Sequence, residues 1–410
     1  MIGRVAFLSM HTSPLDLPGS GDAGGMNVYI DELAASLAGR GIDVTVFTRR
    51  ADPAIRRLVE TPAGYRVAHV DAGPARRLPV SALMEWVGDF AAEITHAIEG
   101  GWSASPTDVV HSHYWLSGWA GIIVKQATGL PLANSFHTLG RVKDATRRPG
   151  QPPEPLLRIA AESEVIARSD CVIAATEYES IELIDHYGAD PSRLCVNPPG
   201  IDLDLFGPGD AGAARRRLGL DDAPTVLFVG RIQALKGLDV AVEALGILRD
   251  RLAGVRMLVV GGPSGPTGDF ERLMIEDKVG RLGMEDSVSW WGVQPHRRLP
   301  DFYRAADVLV VPSRSESFGL VAAEAQATGL PVAAANVGGL RYVVEDGVSG
   351  VLVDGWDPAD YSKALLRVLE SPTLREHLAA GALRSGRRYG WTTATDRLLQ
   401  LYGGIADGAR

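Results

Sequence analysis

Cysteine and long apolar segments are both scarce in this sequence. Cys171 and Cys195 are the only cysteines among 410 residues, and both lie in or beside apolar runs. We therefore expect two reduced structural thiols. No stretch comes near the ~20 apolar residues that a membrane-spanning helix needs, and the apolar run at 5–10 is too short for a signal peptide. The sequence thus predicts a cytoplasmic protein without a membrane span.

Basic residues are fewer than acidic residues in this sequence. There are 41 Lys and Arg residues against 50 Asp and Glu, which gives a formal net charge of −9. This balance argues against a general nucleic-acid binder, although local basic groups can still serve an anionic ligand. Apolar residues make up 46% and charged residues 22% of the chain, as expected of a globular protein. The length predicts two domains.

Apolar runs with the length of buried strands alternate with helical patterns along the whole chain. Runs such as 4–10 and 43–48 in the first half, and 225–229 and 256–260 in the second, predict parallel strands joined by helices. The stiff turn Pro198-Pro199-Gly200 separates the two series. The pattern therefore predicts an α/β protein with domains at residues 1–199 and 200–391.

The segment 312–324, with the sequence PSRSESFGLVAAE, follows the apolar run 308–311. It predicts a loop at the carboxyl end of a parallel strand and then a helix from Gly319 onward. Ligands of open α/β sheets bind at such strand ends, and the backbone N–H groups of residues 317–320 would suit an anion there. Glu316 and Glu324 would supply carboxylates for hydroxyl groups. The alternative is a loop glutamate that caps the helix and a second one on its solvent face.

Three other patterns resemble known sites but lack the expected context. Residues 19–24, GSGDAG, match the dinucleotide pattern G-x-G-x-x-G, yet prolines separate them from the preceding strand and no acidic residue ends the second strand. Asp202 and Asp204 form a D-x-D pattern directly after the Pro-Pro-Gly turn, where turn and capping roles are expected. His111 and His113 lack a nearby Cys or acidic partner, so we expect structural histidines and no metal site.

Several motifs together resemble the retaining glycosyltransferases of family 4, which have the GT-B fold. They are Glu316 and Glu324 in an E-x7-E pattern, the segment 230–237 (GRIQALKG) and the segment 198–202 (PPGID). The resemblance covers nearly the whole chain. It implies two Rossmann-like domains that face a central cleft, with residues 392–410 in a helix that crosses back to the first domain. Segments 10–14, 21–30, 111–118 and 261–265 resemble the branch of the family that acts on inositol phosphate.

The resemblance places donor binding and catalysis in both halves of the chain. Glu316 would contact the hydroxyls of the donor sugar, Glu324 those of the ribose, and His137 would lie near the reaction centre. The implied donor-site residues are Gly24, Gly25, Arg231, Lys236, Gln294, Glu316, Ser317, Phe318, Gly319, Leu320 and Glu324, and the implied catalytic residues are His137, Arg231, Lys236 and Glu316.

The chemistry of a nucleotide sugar fits this assignment. Charge builds on the leaving diphosphate as the anomeric C–O bond breaks, so fixed cations and amides belong beside it. Arg231 and Lys236 would supply the positive charge, and no metal ion or other cofactor is then required. The alternative is that both residues lie on the surface and form ion pairs there. Gly24 and Gly25 would let the backbone approach the same phosphates. The retaining outcome, by substitution on the face of the leaving group, is implied by the resemblance alone.

The acceptor side departs from the pattern of the inositol-phosphate branch. Tyr114, Thr138 and Arg158 match three of the four residues that hold the acceptor phosphate there, and Asn27 is expected on the same side. The fourth, a lysine, is replaced by Val80. Arg76 and Arg77 are close in sequence and could substitute for the lysine. Without such a substitute, a neutral, zwitterionic or carboxylate acceptor is favoured over a phosphate monoester.

Three interpretations remain open at this point. The protein could glycosylate inositol phosphate, it could be a diverged relative in a natural-product pathway that takes a cyclitol or the thiol ergothioneine, or it could bind sugar nucleotides without catalysis. The residue at position 80, Val80, distinguishes the first interpretation from the second. The presence of Arg231, Lys236 and Glu316 argues against the third, a protein without catalysis. A sugar-nucleotide epimerase would need acid and base groups that we cannot identify. The donor base (UDP or GDP), the sugar and a possible homodimer stay undetermined.

Overall fold

The computed structural model describes residues 2–17, 23–100, 106–148, 150–265 and 267–408. Residues 18–22, which carry most of the dinucleotide-like pattern, lie outside the described residues. Within them the chain is α/β and contains two separate sheets. Each described helix is too short or too polar to cross a membrane.

The first sheet has eight strands in the order β3-β4-β2-β1-β5-β6-β7-β8. These strands are β1 (Arg4–Leu8), β2 (Asp43–Arg49), β3 (Leu58–Glu60), β4 (Arg66–Val70), β5 (Val109–His113), β6 (Leu132–Ser135), β7 (Cys171–Ala174) and β8 (Leu194–Val196). All pairings are parallel except that of β3 with β4. The edge strand β3 was not predicted, because its three residues are too few to show an apolar period.

The second sheet has six parallel strands in the order β11-β10-β9-β12-β13-β14. They are β9 (Thr225–Val229), β10 (Arg256–Val260), β11 (Val288–Gly292), β12 (Val308–Val311), β13 (Val332–Ala335) and β14 (Gly350–Val353). The prediction for this half is confirmed almost residue by residue. Its strands are covered by helices on both faces and therefore read as continuous apolar runs, which are easy to recognise.

Helices connect the strands of both sheets. They are α1 (Gly25–Ala38), α2 (Val87–Glu99), α3 (Tyr114–Thr128), α4 (Gly140–Ala145), α5 (Leu156–Arg168), α6 (Glu177–Tyr187), α7 (Ala211–Leu218), α8 (Leu238–Arg249), α9 (Gly268–Arg281), α10 (Leu299–Ala305), α11 (Leu320–Thr328), α12 (Leu340–Val343), α13 (Pro358–Glu370), α14 (Pro372–Gly386) and α15 (Trp391–Gly408). Short 3₁₀ turns occur at Val80–Trp86, Pro191–Arg193, Ala234–Lys236 and His296–Arg298.

The strand order reverses at the centre of each sheet. In the first, β1 lies between β2 and β5, and in the second, β9 lies between β10 and β12. At such a point the connections leave toward opposite faces, which opens a crevice at the carboxyl ends of the strands. The two crevices position the residues described below.

The last helix, α15, packs on the first half of the chain although it follows the second sheet. Ser36 of α1 and Thr395 of α15 share a hydrogen bond of 2.7 Å between their hydroxyl oxygens. The hydroxyl of Tyr402, which is fully buried, lies 2.6 Å from Nδ1 of His111 on β5. The crossover helix implied by the family resemblance is thus confirmed.

The expectation of two free thiols is wrong. Cys171 on β7 and Cys195 near the middle of β8 are joined by a disulfide, with their Cα atoms 6.2 Å apart. The two apolar runs form adjacent parallel strands, and this neighbour relation brings residues 24 positions apart side by side. The sequence shows each run, but it does not show which strands will be neighbours.

Candidate active site

The two sheets face each other across a cleft with a volume of about 970 Å³. Its walls are loops that follow the carboxyl ends of strands on both sides. The predicted site residues that line it are Gly24, Gly25, Val80, Tyr114, His137, Thr138, Arg158, Arg231, Lys236, Gln294, Glu316, Ser317, Phe318, Gly319, Leu320 and Glu324. The fold therefore brings all the predicted residues except Asn27 to one cavity.

Lys236 and Glu316 form an ion pair on the wall that belongs to the second sheet. Lys236 ends the 3₁₀ turn after β9, and Glu316 lies in the loop after the neighbouring strand β12. Nζ of Lys236 donates to Oε2 of Glu316 at 2.6 Å, and both side chains are largely buried. Gly237 follows with φ of 69°, and a Cβ there would lie 2.1 Å from the carbonyl oxygen of Pro312. Only glycine lets this turn pack against the loop that carries Glu316.

Arg231 lies at the narrow point between the two halves. A Cβ on Gly24 would stand 3.1 Å from Nε of Arg231, and one on Gly25 would stand 3.4 Å from a methyl group of Leu320. The absence of side chains at these glycines lets the first half approach the second closely. Helix α1 begins at Gly25, so the positive end of its dipole also lies on the cleft. Arg231, Lys236 and this helix end together favour an anionic ligand.

Glu324 lies on α11 and is almost completely buried. Its two carboxylate oxygens bond to different partners: Tyr303 donates to Oε2 at 2.7 Å, and Nε2 of His296 lies 2.8 Å from Oε1. Each carboxylate oxygen has a second lone pair, so Glu324 can still accept a hydrogen bond from a ligand hydroxyl. The predicted Gln294 is held within its own loop, because its amide donates to the carbonyl oxygen of Trp291 at 2.6 Å.

His137 is the point where both halves of the chain meet. Its φ of 61° lies in the left-handed region, which is rare for a side chain of this size. The hydroxyl of Ser317 donates to its carbonyl oxygen at 2.7 Å from the second half. From the first half, Nδ1 of His113 lies 3.1 Å from Nε2 of His137. The backbone and the ring of His137 are thus held by different sides of the cleft.

Three histidines beside the cleft favour their neutral form. Desolvation lowers the pKa of His137 to about 3, and that of the buried His113 well below its usual range. Desolvation, with His137, Arg231 and Arg158 nearby, also lowers the pKa of His11 to about 3. His296 behaves differently, because burial disfavours its charged form but the contact with Glu324 outweighs this and raises its pKa.

Arg158 is the centre of the predicted acceptor pocket. Its Nη2 donates to Oγ1 of Thr138 at 3.2 Å, and its guanidinium carbon lies 5.2 Å from the ring centre of Tyr114. The arginine also forms two ion pairs. One is with Glu162 of its own helix at 2.7 Å, and the other is with Glu154 of the preceding segment at 2.9 Å. The three predicted acceptor residues therefore form one cluster, with the charge of Arg158 already balanced.

Val80 lines the cleft, and the two arginines that could have replaced the missing lysine do not. Arg77 instead lies 3.8 Å from Asp16, and the carbonyl oxygen of Arg76 accepts from Arg49 at 2.5 Å. Three cations that sequence analysis did not single out, Lys143, Arg147 and Arg148, do line the cleft. Lys143 is paired with Glu154, and Arg147 donates a hydrogen bond of 2.5 Å to the carbonyl oxygen of Gln151.

Asn27 was expected on the acceptor side, and the structure places its side chain elsewhere. Only 1% of the residue is exposed. Its Nδ2 donates to the hydroxyl of Thr12 at 2.6 Å, and its Oδ1 accepts from the backbone N–H of Gly24 at 2.9 Å. Asn27 therefore holds Gly24 in position at the edge of the cleft rather than facing an acceptor.

An arginine bridges the two halves at the rim of the cleft. Arg148, in the segment between α4 and α5, donates to both carboxylate oxygens of Glu271 on α9 at 2.9 Å. The same guanidinium lies 3.5 Å from Asp239 on α8. No local sequence signal indicated this pairing, because its partners are more than ninety residues away.

The two patterns that resembled metal sites are occupied by protein contacts. Oδ1 of Asp202 accepts from the backbone N–H groups of Asp204 and Leu205, both at 3.0 Å, which is the predicted turn-capping role. His111 lies between Tyr402 and Ser135, with hydrogen bonds of 2.6 and 2.9 Å. Among the described residues, no group of three or more His, Cys, Asp or Glu side chains could hold a metal ion.

Comparison with known proteins identifies two regions of the chain. Residues 24–200 match the family model described as "Glycosyl transferase 4-like domain", and residues 211–384 match "Glycosyl transferases group 1". The chain is 47% identical to the D-inositol 3-phosphate glycosyltransferase of Thermomonospora curvata, over 99% of this chain and 96% of that protein. It is 48% identical to the enzyme of the same name from Geodermatophilus obscurus, over 98% of this chain and 90% of that protein.

Solved structures agree with these relatives. Sucrose-phosphate synthase from Thermosynechococcus elongatus superposes with a TM-score of 0.90 at 31% identity and covers 99% of both chains. The Anabaena protein Alr3699/HepE, solved in complex with UDP and glucose, superposes with a TM-score of 0.79 at 20% identity, over 98% of this chain and 99% of that one. The second similarity shows the fold alone. From the cleft, the two sheets and these relatives together, the chain belongs to the family 4 glycosyltransferases of the GT-B fold.

Proposed function

We propose that the protein transfers a sugar from a nucleotide diphosphate sugar to an inositol phosphate, and that the sugar keeps its anomeric configuration. The names of the curated relatives support this acceptor class. The single observation that carries the transfer itself is the ion pair of Lys236 and Glu316 in the cleft. It places a cation for a diphosphate directly beside a carboxylate for sugar hydroxyls.

The proposed reaction breaks the bond between the anomeric carbon and the leaving diphosphate. The acceptor hydroxyl attacks the same face of the sugar, and its proton passes to the leaving phosphate oxygen. Arg231 and Lys236 stabilise the negative charge that grows on the diphosphate. With two cations and the end of α1 in place, the step requires no metal ion.

A double displacement through an enzyme carboxylate receives less support. Glu179 is a buried glutamate of the first half that lines the cleft. Its Oε2 accepts from the backbone N–H of Ala175 at 2.6 Å, and its own N–H donates to the hydroxyl of Thr176 at 3.1 Å. Burial raises its pKa to about 7. A carboxyl group that caps the start of α6 and is half protonated near neutral pH is a poor nucleophile.

The proposal is tested by incubating the protein with UDP- and GDP-activated sugars and three acceptors: inositol 3-phosphate, unphosphorylated inositol and ergothioneine. We expect a glycosylated inositol phosphate, and the coupling constant of its anomeric proton should show the configuration of the donor. Transfer with inverted configuration would contradict the mechanism. Binding of the nucleotide without transfer to any acceptor would instead indicate a sugar-nucleotide-binding protein without catalysis.

Val80 is expected to limit the use of a phosphorylated acceptor. A phosphate monoester carries nearly two negative charges, and the pocket offers an apolar wall where the inositol-phosphate branch has a lysine. We expect Val80→Lys to lower the KM for inositol phosphate roughly tenfold, because a charge-assisted hydrogen bond contributes about 1.5–3 kcal/mol. Initial rates against acceptor concentration measure this effect.

Val80→Met is the matched control, since it adds length at the same position without charge. The lysine variant should leave unphosphorylated inositol unaffected. An unchanged KM for inositol phosphate in Val80→Lys would mean that Lys143 or Arg147 already serves the phosphate.

A further inference from the structure

His113 connects the core of the first sheet to the reaction centre. It ends β5, is fully buried, and is paired with Ser135 of β6. Ser135 in turn lies two residues before His137 in the chain. Its ring packs edge-on against Phe7, with centroids 5.0 Å apart, and lies 4.2 Å from the ring of His111. The edge-on contact with Phe7 fixes the plane of the His113 ring, and therefore the direction of the bond from its Nδ1 to Nε2 of His137.

The position of the hydrogen in that bond follows from the rest of the His113 ring. Its other nitrogen, Nε2, is buried and has no hydrogen-bond partner among the residues that the structure describes. A neutral imidazole has one N–H donor and one acceptor nitrogen. A buried N–H without a partner is costlier and rarer than a bare acceptor, so the hydrogen belongs on Nδ1. His113 then donates and Nε2 of His137 accepts.

If Nε2 of His137 accepts this hydrogen bond, the protonation of its other ring nitrogen, Nδ1, follows. Because that ring is neutral, its hydrogen must lie on Nδ1. His137 lines the cleft and is only partly buried by the protein, and its Nε2 is the ring nitrogen that faces His113. The backbone of His137 cannot easily move when its ring reorients. Its left-handed φ of 61° is held by the hydrogen bond from Ser317 across the cleft.

We propose that His113 is a positioning residue that holds His137 as the Nδ1–H tautomer, so that His137 presents a neutral N–H donor to the sugar of the donor substrate. The inference rests on the proposed function for the sugar, whereas the tautomer itself can be measured without any substrate. A glycosyl transition state resembles an oxocarbenium ion, with positive charge on the sugar. A neutral donor can bind a sugar hydroxyl there, and a charged imidazolium would repel the developing charge.

Burial supports the neutral state of both rings, since it lowers the pKa of His137 to about 3. The ring therefore favours its uncharged form near neutral pH. What remains variable is the tautomer, and the bond from His113 selects one of two forms that differ little in an isolated imidazole. Loss of that bond would leave His137 free to turn its lone pair toward the sugar.

The chain offers variants that separate this role from packing. His113→Leu removes the bond, and His113→Asn keeps an amide donor at the place of Nδ1. His111→Leu is the matched control, because His111 is equally buried on the same strand but bonds to Tyr402 and Ser135. We expect His113→Leu to lower kcat roughly tenfold to a hundredfold with little change in the KM for the donor, as loss of orientation does. His113→Asn should restore most of kcat, and His111→Leu should leave kcat per folded molecule near that of the wild type.

Two further measurements decide the mechanism. In a double-mutant cycle, His113→Leu combined with His137→Ala should be no slower than His137→Ala alone, because His113 acts only through His137. Nitrogen-15 NMR of the imidazole groups, assigned with His137→Gln, should show the Nδ1–H form of His137 in the wild type and a mixture of forms in His113→Leu.

An Nε2–H form of His137 in the wild-type protein would overturn the proposal, and so would equal losses of kcat in His111→Leu and His113→Leu. Multiplicative effects in the cycle would also overturn it. If the protein transfers no sugar at all, the proposed function fails. The NMR result would then still decide whether His113 sets the tautomer.

Discussion

Replacing Lys236 or Arg231 by alanine is expected to slow sugar transfer by a factor of roughly 30 to 900, equivalent to about 2–4 kcal/mol in the barrier. Both cations line the cleft in which the proposed reaction releases a diphosphate. Charge grows on the diphosphate during the reaction, so a fixed cation stabilises the transition state more than the bound substrate. The loss should therefore appear mainly in kcat, measured with saturating donor and acceptor.

The ion pair with Glu316 complicates the lysine variant and also provides its control. Lys236→Ala leaves the Glu316 carboxylate without the partner it has at 2.6 Å. The additional variant Glu316→Gln and the double variant show how much of the loss arises from that carboxylate. Lys363→Ala removes a largely exposed lysine of the same half, paired with Asp360, and should leave the rate unchanged. A near-normal kcat in Lys236→Ala or in Arg231→Ala would exclude that residue from the mechanism.

The second sheet and the residues that it brings to the cleft could be predicted from the sequence because their signals are local. The run 308–311 followed by the Pro/Ser turn and Glu316 indicates a strand, a loop and a helix in one continuous stretch. The same holds for Arg231 and Lys236 after the run 225–229. Because β9 and β12 are neighbours in the sheet, the two loops meet, and the pair Lys236–Glu316 follows from strand order. The sequence analysis predicts the strands and the loops after them, but not the order of the strands in the sheet.

Contacts between distant elements could not be predicted in this way. The disulfide of Cys171 and Cys195 depends on β7 and β8 being neighbours. The contact of His296 with Glu324 depends on how the loop after β11 lies against α11. The proposed tautomer of His137 depends on Nε2 of His113, which has no hydrogen-bond partner in the described part of the chain. In each case the residue types are visible in the sequence, but the geometry that gives them a role arises only when the sheets form.

The carboxylates around Arg158 are an intermediate case. Glu154 and Glu162 lie four residues before and after it, a spacing that places them near the arginine along a helix. This spacing is present in the sequence, but the acceptor pattern that Arg158 matches does not include it. It changes the expectation for this residue from a free phosphate-binding cation to one that also neutralises buried negative charge.

Arg158→Ala is therefore expected to lower stability as well as acceptor use. Glu162 is fully buried, and without Arg158 it keeps only neutral partners such as the N–H of Gly140 at 3.0 Å. Breaking a buried ion pair by removing one partner costs about 3–5 kcal/mol, because a charge remains without compensation. Urea denaturation followed by tryptophan fluorescence should show this loss. Arg168→Ala is the control on the same helix, since its pair with Glu164 is about half exposed and should contribute under ~1 kcal/mol.

A second substitution separates the two roles of Arg158. The double variant Arg158→Met/Glu162→Gln removes both charges while it keeps the size of each side chain, so most of the stability should return. Acceptor use should not return, because the pocket has still lost the guanidinium that binds Thr138 and lies over the ring of Tyr114. The KM for inositol phosphate should thus stay raised at least tenfold in a protein of near-normal stability. Recovery of transfer together with stability would mean that Arg158 only supports the fold and that the acceptor binds elsewhere in the cleft.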